Sequence, residues 1–201
     1  MKSIDFTLAD AAAIARDTCA KSNIMGSVLT TRLLKTVFEK FGRENVQPMS
    51  VQVLIFNPYV TKEFQPGKNP SKKRLNALLN HRRGHSIGIG MEESPGVGWK
   101  GHLILIVKDT EGTWLVDATL NQANRPEHNI WMLPIGVKVD ELFGTYDGSR
   151  AMLKLNDCAV MYSAFPSDQS YENLLDWSGK SDEFGVDSLS NQIFERLATG
   201  A

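Results

Sequence analysis

Gly101-His102-Leu103-Ile104-Leu105-Ile106-Val107 and Trp114-Leu115-Val116-Asp117-Ala118-Thr119 are two short apolar runs, separated by the turn-like Lys108-Asp109-Thr110-Glu111-Gly112. Apolar runs of this length around a glycine-containing turn predict a β-hairpin. His102 opens the first run and Asp117 lies inside the second, fifteen positions on. An imidazole and a carboxylate on adjacent strands can face each other and hydrogen-bond across the ladder. Such a pair supplies the base and the orienting group of a nucleophile–base–orienter constellation. A carboxylate flanked by Leu115, Val116 and Ala118 needs a partner once buried, and His102 would provide it.

Upstream of the hairpin the pattern is helical. From Thr7 to about Ser22, Leu8, Ala11, Ala12, Ala15 and Cys19 share one face, and Thr7 with Asp10 three residues on reads as an N-terminal cap. A second helix starts near Ser27, carries Val28, Leu29, Leu33, Leu34, Val37, Phe38 and Phe41, and stops at Gly42, a glycine stop signal. Met49 to Phe56 is rich in Val and Ile and reads as a strand. Pro58 to Gly84 is polar and basic, with a loop at Pro66-Gly67-Lys68-Asn69-Pro70 and a short helix from Ser71 to Asn80; Ser86 to Gly90 reads as a further strand. Downstream, Ala151 to Leu155 and Ala159 to Phe165 read as strands, and Tyr171 to Trp177 and Asp187 to Leu197 as helices. Helices, then a mainly antiparallel sheet, then helices define an α+β domain.

Composition narrows the function classes. The chain has 201 residues, 42% of them apolar, enough for one core, so residues 1–201 are expected to form a single domain. Lys and Arg number 22 against 23 for Asp and Glu, a net charge of −1 that offers no general attraction to nucleic acid or to an anionic membrane. A small-molecule or peptide substrate suits that balance better. Cys19 and Cys158 cannot build a disulfide framework. No stretch approaches the roughly 18 apolar residues of a membrane span, and Met1-Lys2-Ser3-Ile4-Asp5 lacks the apolar core of a secretory signal, so a cytoplasmic protein is expected. No cofactor motif and no set of metal ligands is found; His81 and His85 bracket Arg82-Arg83-Gly84 without further ligands at suitable spacing and read as surface residues.

The third member of the constellation is sought at the start of the second helix. Free N–H groups and the positive dipole end of a helix stabilise a developing negative charge, on a thiolate or on a tetrahedral oxyanion. Ser27 stands there, although serine is also among the preferred N-cap residues and can be no more than that.

With these blocks in hand the chain resembles the transglutaminase-like and arylamine N-acetyltransferase-like group of papain-like cysteine enzymes. In that group a cysteine begins a helix about fifteen residues long, and a strand, a histidine strand and an aspartate strand follow. Here Ser27 to Gly42 has the helix's length, Val51-Gln52-Val53-Leu54 follows as the strand, and Gly101-His102-Leu103 and Leu115-Val116-Asp117-Ala118-Thr119 match the other two blocks. Val28-Leu29-Thr30-Thr31-Arg32, Gly98-Trp99-Lys100-Gly101-His102-Leu103 and Asp117 to Pro126 look like a set of uncharacterised bacterial proteins of this type. The resemblance implies a papain-like fold and acyl transfer through a covalent intermediate: nucleophile at position 27, His102 as base and then acid, Asp117 as orienter. It would act on an amide or a thioester, as hydrolase or transferase. Residues 58–98 are longer than the resemblance calls for and suggest a lid or insertion.

One departure is plain: Ser27 stands where the resemblance expects cysteine. An engineered Cys-to-Ser form, a natural serine enzyme, and a silent relative that only binds all fit this difference. Cys19, eight residues earlier, would be the nucleophile if the helix began just after Thr18; as placed by the periodicity it is a core residue. Cys158 reads as a structural strand residue. Around the triad, Gln52 is a candidate hydrogen-bond donor, Trp99 a candidate cleft wall, and Gln122 and Arg125 either line the mouth or fix the turn after Asp117. Lys72-Lys73-Arg74 and His81-Arg82-Arg83 form a basic cluster that either binds an anionic group or is simply solvated. Gly88-Ile89-Gly90 and Gly96-Val97-Gly98 are too short for phosphate loops and would let backbone pass near the site.

Overall fold

The computed structural model describes residues 6–24, 26–64, 69–90, 99, 101–179 and 185–200. Its first two helices, α1 (Leu8–Lys21) and α2 (Ser27–Lys40), follow the expected periodicity. Thr7 accepts the Asp10 N–H while the Asp10 carboxylate takes the Thr7 N–H, a reciprocal capping box. α2 ends as its glycine foretold: Gly42 has φ +74°, its N–H reaches the Glu39 carbonyl, and the Arg43 N–H reaches Phe38, which is a Schellman stop. Leu29, Leu33, Leu34, Val37 and Phe38 of α2 are all buried. Each contributes about 1.5–3 kcal/mol by leaving water, so α2 is held by packing more than by propensity.

Among the described residues seven strands follow: β1 (Val46–Phe56), β2 (Ser86–Ile89), β3 (His102–Asp109), β4 (Gly112–Asp117), β5 (Ile135–Val139), β6 (Arg150–Leu155) and β7 (Cys158–Ala164). They form one antiparallel, strongly curved sheet in the order β5-β4-β3-β1-β7-β6, with β2 added to β1. β1 starts three residues earlier than the apolar pattern suggested. β5 carried no expectation from sequence; it packs under α1 through Gly136, where a Cβ would lie 2.5 Å from the Leu8 carbonyl carbon. Residues 170–178 are not the continuous helix expected from Tyr171 to Trp177. A 3₁₀ turn (Ser170–Asn173) and one α turn (Leu175–Ser178) are separated by Leu174 in extended conformation. The last helix spans Val186–Thr199.

In the stretch 58–98, short helices run over Pro58–Thr61 and Lys72–Leu79, the latter capped by Ser71. Part of the expected Pro66–Pro70 loop, and Gly96-Val97-Gly98, lie outside the described residues.

The sheet has two apolar faces. α1, α2 and the C-terminal helix cover the face carrying Val46, Leu105, Val107 and Val116. The other face carries Met49, Val51, Val53, Ile104, Ile106, Leu115 and Tyr162, and it is closed by Leu120, Ala123, Ile130, Met132 and Phe143. Burial on both faces explains why β3 reads as an unbroken apolar run rather than an alternating one.

β1 is long enough to carry two partners along one edge. β3 pairs with it from Val46 to Val51, and β2 pairs from Val53 to Phe56, while β7 occupies the opposite edge. The seam between β3 and β2 falls at His102, the first residue of β3. Gly90 sits in that seam with φ +70°, and a Cβ there would lie 2.9 Å from both the His102 nitrogen and the Val51 carbonyl oxygen. Only glycine fits.

Candidate functional site

His102 and Asp117 meet as expected. The His102 Nε2–Asp117 Oδ2 distance is 2.8 Å, with side chains 1% and 0% exposed. The geometry departs from a directly facing pair. The two-residue turn fixes a register in which Leu105 pairs with Val116, so Asp117 falls opposite Ile104 and reaches His102 on the diagonal.

Asp117 is fully surrounded by donors. Oδ1 accepts the Thr119 N–H at 2.9 Å, and Oδ2 accepts the Tyr162 hydroxyl at 3.0 Å in addition to His102. With this many donors the buried carboxylate recovers the hydrogen bonds it gave up on leaving water. As donor to this carboxylate, His102 carries a proton on Nε2. In the neutral ring Nδ1 carries the lone pair, and it has no hydrogen-bond partner among the described residues. Tyr162 was missed in sequence. Burial, and then the charge of Asp117, push its phenol well above its ordinary value, so it remains a donor throughout the physiological range.

Ser27 is not the N-cap. Gly26 takes that position, Ser27 is the first helical residue, and its hydroxyl turns to the sheet instead. Ser27 Oγ accepts the Leu103 N–H at 3.2 Å, and Thr31 Oγ1, one turn further, donates to the Leu103 carbonyl at 2.9 Å. β4 ends at Asp117, so two hydroxyls of α2 satisfy the β3 backbone where the ladder stops. Ser27 therefore bonds the residue next to His102, and among the described residues no hydrogen bond joins Ser27 to His102. Leu103 packs with Val28 of α2, and the His102 side chain bonds the Asp117 carboxylate that also accepts the Tyr162 hydroxyl.

An aromatic group gathers beside the α2 tip. Trp99, Tyr171 and Trp177 stack edge to face in sequence and pack with Val28, Leu103 and Leu174. Trp99 Nε1 donates to Asp168 Oδ2 at 3.1 Å, as Ser50 Oγ does at 2.9 Å. Burial raises the Asp168 carboxyl, but the donors from Ser170, Trp99 and Ser50 outweigh it and hold the group below the usual value. Tyr171 is pushed up to about 12, by burial first and then by Glu172 and Asp168. Arg32 ties this segment to α2 by donating to the Asp176 and Gly179 carbonyls, at 3.3 and 2.7 Å.

The remaining candidates divide. Gln52 lies on the half-buried side of β1 that looks toward the helices, opposite Ser163. Arg125 is exposed and braces the turn through the Gln122 and Asn124 carbonyls, while Gln122 is exposed beside it. Cys19 sits in the last turn of α1, 1% exposed, and burial raises its thiol; it is not at a helix start. Cys158 is likewise buried with a raised thiol.

His81 is exposed and stacks on Tyr59, whereas His85 is half-buried, with its ring 3.5 Å from that of His128. In the basic cluster, Arg74 is held by Glu63. No group of three potential metal ligands occurs among the described residues. Nor, among them, is any helix long and apolar enough to cross a membrane. Comparisons of the chain with protein-family models, with curated proteins and with solved structures find no match.

Proposed function

We propose that the protein is an acyl-transfer enzyme of the papain-like, transglutaminase-like kind, acting on an amide or thioester of a small molecule or peptide. The observation that carries this reading is the buried His102–Asp117 pair, with Nδ1 unengaged among the described residues, one residue from the Leu103 N–H held by Ser27. In the proposed reaction Ser27 Oγ leaves the Leu103 N–H and bonds the acyl carbon while Nδ1 takes its proton. Asp117 stabilises the resulting imidazolium and keeps Nε2 protonated. The free N–H groups of the first turn of α2 receive the oxyanion. The C–N or C–S bond then breaks, and the imidazolium proton goes to the leaving group. Water or an amine, deprotonated by the same nitrogen, releases the acyl group.

A second reading is that of a binding module that keeps the cleft without chemistry. It is favoured by the Ser27 hydroxyl having a structural task of its own, matched by Thr31 on the same residue.

A panel of amide and thioester substrates, offered to the protein and to Ser27→Cys, separates the two. The enzyme reading expects turnover in at least one form, and iodoacetamide labelling of the new thiol that slows in the Ser27→Cys/His102→Ala double variant. The buried Cys19 and Cys158 serve as internal references. Silence in both forms, with unactivated labelling, leaves the binding module.

A further inference from the structure

We propose that Tyr162 is a fourth member of the site, a positioning residue whose hydroxyl shares Asp117 Oδ2 with His102 and so favours the imidazole acting as a base. The inference rests on the reading of His102 as the base, and its argument is geometric. Asp117 Oδ2 receives two donors, His102 Nε2 at 2.8 Å and the Tyr162 hydroxyl at 3.0 Å, and all three side chains are at most 1% exposed.

β1 lies between the strands that carry the two donors. Val51 pairs with both His102 and Ala164, and Val53 pairs with Tyr162. The phenol reaches across β1 to the carboxylate on the shared face of the sheet.

The consequence follows from which charge state each donor favours. With imidazolium present, Asp117 is neutralised by its partner. With neutral imidazole, the carboxylate is a lone buried anion, and the Tyr162 O–H stabilises that state more than the ion pair. Tyr162 therefore makes the proton easier to remove from His102. Thr119 contributes a second fixed donor on the other oxygen. Apart from His102, Asp117 and Tyr162, no titratable side chain hydrogen-bonds to this group among the described residues, and Val51, Val53, Ala164 and Leu115 of β1, β7 and β4 are apolar.

The test is an NMR titration of the His102 ring in the intact chain, assigned by the signal lost in His102→Gln. Tyr162→Phe should move the ring's titration midpoint upward by roughly one pH unit while the Nε2-protonated form persists. Replacing all four tyrosines by difluorotyrosine, whose hydroxyl is the stronger donor, should move it downward. A role confined to filling space predicts no such reversal of sign. A midpoint that stays put in both proteins, or moves in one direction in both, overturns the proposal; if Tyr162→Phe does not fold, the fluorinated chain decides. No substrate is used, so a failure here leaves the acyl-transfer reading standing, and a lack of turnover leaves this measurement intact.

Discussion

Ser27 and Thr31 occupy one stripe of α2 and between them take both backbone groups of Leu103. A buried N–H that loses its acceptor costs about 1–3 kcal/mol. Ser27→Ala should therefore lower the unfolding free energy in urea by that amount, and Thr31→Val by a similar amount through the orphaned carbonyl. Ser27→Gly would add a loss of helix propensity. If Ser27→Ala unfolds at the same denaturant concentration as the parent chain, water or backbone adjustment replaces the hydroxyl, and its structural task is small. That result would remove the chief observation favouring a pure binding module. The same two hydroxyls bear on Ser27→Cys, because sulfur accepts a hydrogen bond weakly. A thiol at position 27 would release the Leu103 N–H and be freer to engage Nδ1.

At the scale of elements, the seam between β3 and β2 places His102, and Gly90 makes the seam possible. Gly90→Ala would put a Cβ against the His102 nitrogen and the Val51 carbonyl in a left-handed conformation. The strain is of order 1–3 kcal/mol, and the clash is with backbone that cannot yield cheaply. The variant should unfold earlier and lose the low-field proton of the His102–Asp117 hydrogen bond, measured by denaturation and by NMR; an unchanged low-field proton would show that the seam does not position the imidazole.

How far the sequence could be read follows from which signals are local. Thr7 with Asp10, the apolar stripe of α2 ending at Gly42, and the runs flanking 108–112 are short-range patterns, and each forms the element it predicts. β5 was missed because five residues with a glycine give too little alternation to count. Residues 171–177 have helical composition, yet Leu174, extended and packed beside the α2 tip, divides them into two turns. The diagonal register of His102 and Asp117 depends on the turn closing with two residues. Tyr162 was invisible for a different reason: an aromatic residue in an apolar strand reads as core, and its carboxylate partner is 45 positions away. The Leu103 N–H is backbone, which no side-chain pattern reveals.

Over the whole molecule, charges nearly cancel, so its pH dependence near neutrality is set by particular groups rather than by general repulsion. Two windows should be separable. Asp10, held by Thr7, and Asp17, held by Lys21 and Arg196, lie below the ordinary carboxylate value, as do Asp147 beside Ser167 and Asp168. Their contributions are complete above the unfolded value of 3.8 and are lost as pH falls through the lower folded values. Arg196 donates to both Asp17 and Thr18, so part of this window measures the clamp between α1 and the C-terminal helix. His85 defines the upper window. Burial, then the neighbouring His128, lowers its ring below 6.5, so the unfolded chain takes up the proton at a higher pH than the folded one. Its contribution is present above 6.5 and is withdrawn as pH falls from there toward the folded value. His85→Phe keeps a ring over His128 and removes the titration. Urea midpoints of the parent chain minus those of the variant should therefore rise with pH between about 5 and 7 and stay level below about 4. A flat difference across the upper window would mean that the stacked histidines open before either takes a proton.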